Sequence, residues 1–243
     1  MKYNLSYKLY GERAVLIEWP QEISENILKD VLSFKLKIEK FNLKQILEIK
    51  QSYCSLLVIY DFCIENLKPE ISTIKKIYDK KGEAEELSFR QWVIPVCYDD
   101  VLGLDLEELA EQKKMSKSEI IQLHSESIYT TYFIGFLPGF LYLGGLNERL
   151  NTPRKSTPRL QVEKGAVAIG GNQTGIYPMA SPGGWNIIGN TPVSLFDIDK
   201  KLPCFVKPGD KIKFKPVSLE EYNGIKALVE AGLYQVESKE VYG

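Results

Sequence analysis

The residues of this chain best suited to chemistry by type and spacing are two copies of the tripeptide Thr-Pro-Arg, at positions 152–154 and 157–159. Each proline fixes the backbone beside an arginine. Two guanidinium groups this close in the chain could bind a carboxylate or a phosphate through paired hydrogen bonds. Alternatively, both arginines could form surface ion pairs with nearby glutamates, which would contribute little energy. We predict Arg154 and Arg159 as catalytic residues.

A glycine- and proline-rich segment follows, with six glycines between positions 170 and 189. Glycine permits positive φ angles and close backbone approach. The segment also carries aliphatic and aromatic residues throughout, which a solvated linker would lack. We interpret it as a rigid, turn-rich surface on a β scaffold. The predicted substrate-binding residues in it are Gln173, Thr174, Gly175, Tyr177, Gly183, Gly184 and Trp185.

These residues also have ordinary structural explanations. The polar side chains around Gln173 could cap turns and edges of a β-barrel. Trp185 could pack in the core instead of lying on a mobile lip against a ligand. The sequence alone leaves both readings open.

The single histidine, His124, is a further candidate for catalysis. It falls near the expected end of a helix that begins at Ser116, where the helix dipole favours the charged imidazolium form. We predict a role in proton transfer, with a simple hydrogen bond at the helix end as the alternative.

An apolar segment at positions 135–145 holds too many aromatic residues and glycines for a simple loop. Such a segment could line an apolar wall or form a subunit contact. We predict that Phe136, Pro138 and Phe140 contact a partner protein.

Composition excludes several classes of function. The 243 residues include 31 Lys and Arg against 32 Asp and Glu, so the near-neutral charge gives no basic surface for nucleic acid. No apolar run is long enough to span a bilayer, and the first residues lack a signal-peptide pattern. We expect a cytoplasmic protein. The four cysteines form no C-x-x-C pair, so we predict no metal site and buried, reduced thiols.

Known nucleotide and hydrolase motifs are missing from the sequence. It contains neither a P-loop nor a G-x-G-x-x-G motif between a strand and a helix. It also lacks G-x-S-x-G, and a Ser-His-Asp triad would depend on one histidine. The chain therefore holds no self-contained catalytic set that we can name.

The first third of the chain alternates strand and helix patterns. We predict strands at 13–19, 45–50, 55–61 and 89–96, an amphipathic helix at 23–41 and a second helix at 68–80 that stops at Gly82. This order, β-α-β-β-α-β, is that of a ferredoxin-like unit. The last strand could complete that sheet or lead out of it. The charged connector at 80–87 marks a domain boundary.

The rest of the chain begins with two short helices and continues as strands and turns. Asp105 with Glu108, and Ser116 with Glu119, fit the helix-capping pattern. Short strands at 166–169, 193–197 and 211–215, separated by Gly/Pro turns, indicate a barrel or sandwich. Ser218 with Glu221 repeats the capping pattern before a last helix, which ends at Gly232.

Several long motifs in a fixed order make the chain resemble one family. They read IGFLPGFLYLGGL, TPR-x-x-TPR, GGNQTGIYP and SPGGWNIIGNTP. On these motifs the chain resembles the family of KipI and the 5-oxoprolinase B subunit, which is similar to the first subunit of allophanate hydrolase. One position departs from the family pattern, because Leu141 stands where the family usually has proline.

The resemblance implies an α+β fold. Residues 1–86 would form a ferredoxin-like domain, and residues 87–243 a cyclophilin-like β-barrel of carboxyltransferase type. It also implies a non-autonomous component of a complex that uses ATP to open 5-oxo-L-proline to L-glutamate with the A and C subunits. The B and C subunits together resemble a split carboxyltransferase domain, which would place the site at their contact. Whether this chain alone binds ATP is left open.

The family also implies two alternatives. Its founding members inhibit a sensor histidine kinase, and exposed Phe136, Phe140 and Trp185 would then be anchors for that partner. A carboxyltransferase-like protein that acts on a urea-derived substrate is the other alternative, because the motifs indicate a scaffold better than a substrate.

Overall fold

A computed structural model describes residues 3–41, 43, 45–80 and 87–242 of the chain. The fold is of the mixed α+β class. It divides into two units, Met1–Leu87 with Tyr242–Gly243, and Ser88–Val241. Most of the predicted connector, together with the predicted helix stop at Gly82, lies outside the described residues.

The first unit is a four-stranded antiparallel sheet with two helices. Its elements are β1 (Ser6–Tyr10), β2 (Ala14–Glu18), α1 (Glu25–Phe41), β3 (Ile46–Gln51), β4 (Ser55–Tyr60) and α2 (Leu67–Asp79), and its strand order is β1-β2-β4-β3. The predicted amphipathic stripe of α1 is buried from Ile27 to Phe34. Ile23 is the exception, because it precedes the helix and is exposed.

The strand at the edge of this sheet beside β2 differs from the one expected for a ferredoxin-like unit. A ferredoxin-like unit would place its last strand there, but β5 (Ser88–Cys97) belongs to the second unit. The position is taken by β1, which forms a hairpin with β2 around Gly11, whose φ is 62°. Glycine adopts that left-handed angle without strain.

The second unit is built around a closed seven-stranded barrel. Besides β5, its strands are β6 (Ile128–Ile134), β7 (Leu141–Gly144), β9 (Ala166–Gly170), β10 (Gln173–Ile176), β12 (Asn186–Asn190) and β13 (Lys211–Val217). They follow the order β12-β9-β10-β7-β6-β13-β5, and pairing of Asn190 with Cys97 closes the ring. A further strand, β14 (Ser238–Tyr242), adds to β5, and β8 (Arg159–Val162) pairs with β11 (Ser181–Gly183) as a separate small sheet.

The predicted strand at 193–197 is wrong. Alternate side chains there, Val193 and Leu195, are buried as in a strand, but the backbone joins no ladder. The N–H of Val193 instead donates to the Thr191 hydroxyl, and that of Asp197 donates to the Pro203 carbonyl.

Three α-helices and one 3-10 turn flank the barrel: α3 (Leu106–Lys113), α4 (Lys117–Glu126), the turn Glu148–Leu150, and α5 (Leu219–Glu230). Ser116 and Ser218 accept from the N–H groups of Glu119 and Glu221, so both predicted caps are confirmed. The predicted cap at Asp105 is wrong, because its side chain makes no cap hydrogen bond.

All four cysteines are free thiols. Cys54 and Cys97 are buried as expected, whereas Cys63 is exposed. Among the helices that the structure describes, none combines the length and the hydropathy needed to cross a membrane.

Candidate functional site

The carboxylate of Asp105 connects the start of α3, just before which Asp105 lies, to the Thr-Pro-Arg segment and to β12. Arg159 donates to it through both terminal nitrogens, at 2.8 and 2.6 Å. The Lys155 ammonium lies 2.9 Å away, and the backbone N–H of Ile187 donates at 2.7 Å. Only 2% of Asp105 is exposed. A buried carboxylate is stable only with such donors, because removing a charge from water is costly.

The charge balance of this cluster keeps the carboxylate ionised. Burial alone would raise the pKa of Asp105, but the hydrogen bonds from Arg159, Lys155 and the Ile187 N–H outweigh it and hold the pKa below its usual range. Lys155 also contacts Glu108 at 2.8 Å, which, with Asp105, raises the pKa of its ammonium. Arg159 and Lys155 therefore already have carboxylate partners.

The segment that carries the two Thr-Pro-Arg copies is anchored along its length. Thr152 and Gly171 exchange two backbone hydrogen bonds. The side-chain amide of Asn186 donates to the Pro153 carbonyl at 2.9 Å, and the Lys155 N–H donates to the Gly184 carbonyl at 2.7 Å. The backbone on both sides of Arg154 is thus fixed.

Arg154 lies over the ring of Trp185, with the guanidinium carbon 5.6 Å from the ring centroid. The side chain belongs to an exposed residue and forms no ion pair within the part of the chain that the structure describes. A guanidinium over an aromatic face is attracted to the ring and keeps its in-plane donors available. Arg154 is therefore oriented, charged and free to accept an anionic group.

The ring of Trp185 belongs to a small aromatic cluster beneath Arg154. Phe140 lies edge-on to Trp185 and Tyr177, with centroids 5.6 and 5.2 Å apart, and Tyr142 lies 6.2 Å from Trp185. Burial raises the pKa of Tyr142 and of Tyr177, and the charge of Arg154 opposes that rise in both. These four rings form a rigid apolar surface beside the positive charge of Arg154, and we call this surface the aromatic floor.

Glycines are needed where the backbone touches this floor. A Cβ on Gly170 would lie 2.5 Å from the Trp185 ring, and one on Gly183 would lie 2.3 Å from the Tyr177 hydroxyl. A Cβ on Gly175 would lie 3.0 Å from both the Phe140 and the Trp185 rings. The glycine-rich sequence is therefore explained by close packing on aromatic rings.

The predicted substrate residues separate into two groups. Gly183 and Gly184 lie partly exposed beside the Thr-Pro-Arg segment. Tyr177 and Trp185 are buried in the floor, and Gln173, Thr174 and Gly175 on β10 are buried as well. Thr174 is 0% exposed, so the predicted direct contact with substrate does not fit its position.

His124 is 0% exposed and lies inside the barrel unit. Its Nδ1 is 2.7 Å from the Tyr98 hydroxyl, and its ring stacks on Phe214 with centroids 4.6 Å apart. Burial lowers the pKa of His124 from 6.5 to about 3. The predicted charged form is wrong, because loss of solvent outweighs the helix dipole. A neutral, enclosed imidazole does not fit the predicted proton transfer.

The predicted partner contacts lie in the turn between β6 and β7. Phe136 is 63% exposed and Pro138 is exposed, but Phe140 is only 2% exposed. The expectation that Phe140 and Trp185 are exposed anchors is therefore wrong. Phe136 has a φ of 69°, which is unfavourable for a bulky side chain, and such strain is concentrated at functional positions.

Comparison with known proteins identifies the family to which this chain belongs. A model of the carboxyltransferase domain, subdomains C and D, matches residues 5–206. The chain is 34% identical to the 5-oxoprolinase B subunit of Bacillus subtilis over 89% of its own length and 94% of that protein's. It is 39% identical to the Haemophilus influenzae protein of the same name, covering 84% of this chain and 94% of that one. The chain belongs to the family of 5-oxoprolinase B subunits.

A solved structure supports the fold of this family member. The Kluyveromyces lactis urea carboxylase aligns with 99% of the chain at a TM-score of 0.82, and the chain covers 24% of that protein. The sequence identity is 19%, so the likeness concerns the fold alone. The expected carboxyltransferase-type barrel is confirmed.

The structure of this member of the B-subunit family also reveals contacts that the sequence does not indicate. Asp105 and Lys155 connect the Thr-Pro-Arg segment to α3 and β12. The sequence signal at Asp105 is a capping pattern, which indicates only a local role. Arg154 and Arg159, predicted as a pair, differ: Arg154 lies over Trp185, whereas Arg159 is bound to Asp105.

Proposed function

We propose that this chain is the B subunit of an ATP-dependent 5-oxoprolinase, a complex that hydrolyses 5-oxo-L-proline to L-glutamate. The observation that carries the proposal is the Arg154 guanidinium, which lies over Trp185 and forms no ion pair with any residue that the structure describes. Such a group suits a small cyclic substrate that bears one carboxylate and one apolar ring face. The names of the relatives support the same substrate.

The chemistry explains why ATP is required. A lactam is a poor electrophile, so its oxygen first takes the γ-phosphoryl group of ATP, and ADP leaves. Water then adds to the activated carbon, the C–N bond breaks as the nitrogen takes a proton, and a second water releases phosphate from the resulting acyl phosphate. Arg154 binds the substrate and offsets negative charge that develops beside it.

Assembly is part of the proposal, because the chain has no nucleotide motif of its own. We assign ATP to the complex with the A and C subunits. The turn with exposed Phe136 and Pro138 is the surface that we assign to a partner protein of that complex. Aromatic side chains that protrude from a rigid turn are typical anchors of an interface.

A second candidate is carboxyl transfer to a urea-derived substrate. It is favoured by the description of the matching family as a carboxyltransferase domain. Inhibition of a sensor histidine kinase has less support, since two of the three aromatic anchors expected for it are buried.

The test is reconstitution. The purified chain is mixed with the A and C subunits of a 5-oxoprolinase, and glutamate release from 5-oxoproline is measured with and without ATP. We expect release that needs both ATP and this chain. No release from the full mixture overturns the proposal. ATP hydrolysis stimulated by urea and bicarbonate, but not by 5-oxoproline, supports the carboxyl-transfer candidate.

A further inference from the structure

We propose that Asp105 is a positioning residue, which holds the Thr-Pro-Arg segment through Arg159 and Lys155 so that Arg154 stays over Trp185. This gives Arg159 a different role from Arg154. Arg159 and Lys155 serve as internal cations that connect the segment to Asp105, and Arg154 alone faces the ligand.

The contacts around Asp105 support this division. Both carboxylate oxygens are used, Oδ1 by Arg159 and Lys155 and Oδ2 by Arg159 and the Ile187 N–H. The backbone N–H of Asp105 also donates to the Ile187 carbonyl at 2.8 Å. Asp105 is thus fixed to β12 and presents its charge to the Thr-Pro-Arg segment.

The position of Arg154 follows from these anchors. Gly184, which accepts from the Lys155 N–H, immediately precedes Trp185, so one hydrogen bond couples the segment to the indole. The Asp105 contacts to Lys155 and Arg159 fix the segment after Arg154, and Thr152 fixes it before. Loss of the Asp105 charge frees the later anchor and leaves two cations without their buried partner.

The first test uses the isolated chain and needs no substrate. The protein is labelled with 5-fluorotryptophan, which gives one 19F signal for each of its three tryptophans, and the Trp185 signal is assigned with Trp185→Phe. Arg154→Ala defines the shift caused by removing the guanidinium from the ring. We expect Asp105→Asn to move the Trp185 signal in the same direction.

Two milder variants keep the test decisive if Asp105→Asn fails to fold. Asp105→Asn combined with Arg159→Gln removes the buried carboxylate together with its arginine, and the remaining cation, Lys155, keeps Glu108 as its partner. Arg159→Lys keeps the charge but loses the paired geometry. The matched control is Glu119→Gln, which breaks an exposed ion pair with Arg149 and should leave the signal unchanged. A Trp185 signal that stays at its original position in the folded variants overturns the proposal.

The second test concerns turnover and rests on the proposed function. If Arg159 acts only through Asp105, the double variant should lose about the same factor in kcat/KM as the more damaging of Asp105→Asn and Arg159→Ala alone. If Arg159 acts on substrate independently of Asp105, the losses should multiply, and the proposed role is wrong. A reconstituted complex with no activity at all refutes the proposed function and leaves the 19F result to decide the role of Asp105.

Discussion

His124 donates its Nε2 proton to the hydroxyl of Thr174 across 2.9 Å. The direction follows because Thr174 gives its own proton to the Ala168 carbonyl at 3.0 Å, and therefore can only accept from the ring. The other ring nitrogen, Nδ1, then accepts from the Tyr98 hydroxyl. This chain of hydrogen bonds is complete only when His124 is neutral.

The first prediction concerns stability against pH. Burial lowers the folded-state pKa of His124 from 6.5 to about 3, so the unfolded chain binds a proton that the folded chain does not. The free energy of unfolding should be highest above pH 6.5 and fall as the pH drops towards 3, by up to about 1.4 kcal/mol per pH unit. Urea unfolding between pH 7.5 and 5 measures it.

Because the chain has one histidine, the control is simple. Carboxylates titrate mainly below about pH 5, so the change between pH 6.5 and 5 belongs to His124. In His124→Gln that slope should disappear. An unchanged slope in the variant would show that another group is responsible.

The second prediction distinguishes a structural role of His124 from a catalytic one. Since His124 is enclosed, a folded His124→Gln variant should retain its kcat/KM for 5-oxoproline within about threefold, less than general acid–base groups usually contribute. Steady-state kinetics on the reconstituted complex checks this. A loss of about two orders of magnitude at full folding would restore the catalytic role that the sequence predicts.

A third prediction concerns the glycines under the aromatic floor. Gly170→Ala places a methyl group 2.5 Å from the Trp185 ring and should destabilise the protein by about 1–3 kcal/mol. Gly224→Ala is the matched control, because nothing lies within 4 Å and the site is inside α5. That change should stabilise by about 0.5–1 kcal/mol. Thermal unfolding of both variants distinguishes packing from a general effect of replacing glycine.

The fourth prediction concerns the partner surface. Phe136→Ser should weaken binding to the partner protein of the complex at least about tenfold, as expected for an interface anchor. The free energy of unfolding should change little, because Phe136 is 63% exposed and meets the Phe140 ring edge-on. Ile198→Ser is the control, since Ile198 is a 76% exposed apolar residue elsewhere. Equal binding by both variants in calorimetry argues against this surface.

Local sequence patterns predict much of the fold. Ser116 and Ser218 cap helices as expected, because capping depends on residues three positions apart. The barrel strands near Ala166 and Lys211 also follow from local alternation and turn residues. The β1 edge strand and the pairing of β8 with β11 do not follow, because both depend on partners that local pattern does not specify.

The site is harder to predict, for a physical reason. Asp105 fits a helix cap by sequence, yet its partners Arg159 and Ile187 are 54 and 82 residues away. His124 fits a charged helix end, but its pKa is determined by burial among side chains from other elements. Residue types indicate the right region, whereas the division of roles between Arg154 and Arg159 requires tertiary contacts.

The most direct measurement compares two arginine variants of the reconstituted complex. Arg154→Ala removes the guanidinium over Trp185, and Arg149→Ala removes an exposed arginine that pairs with Glu119. We predict that kcat/KM for ATP-dependent glutamate release falls at least about a hundredfold in Arg154→Ala and stays within about twofold in Arg149→Ala. A loss below about threefold in a folded Arg154→Ala complex, less than removal of a transition-state donor typically causes, would contradict the account.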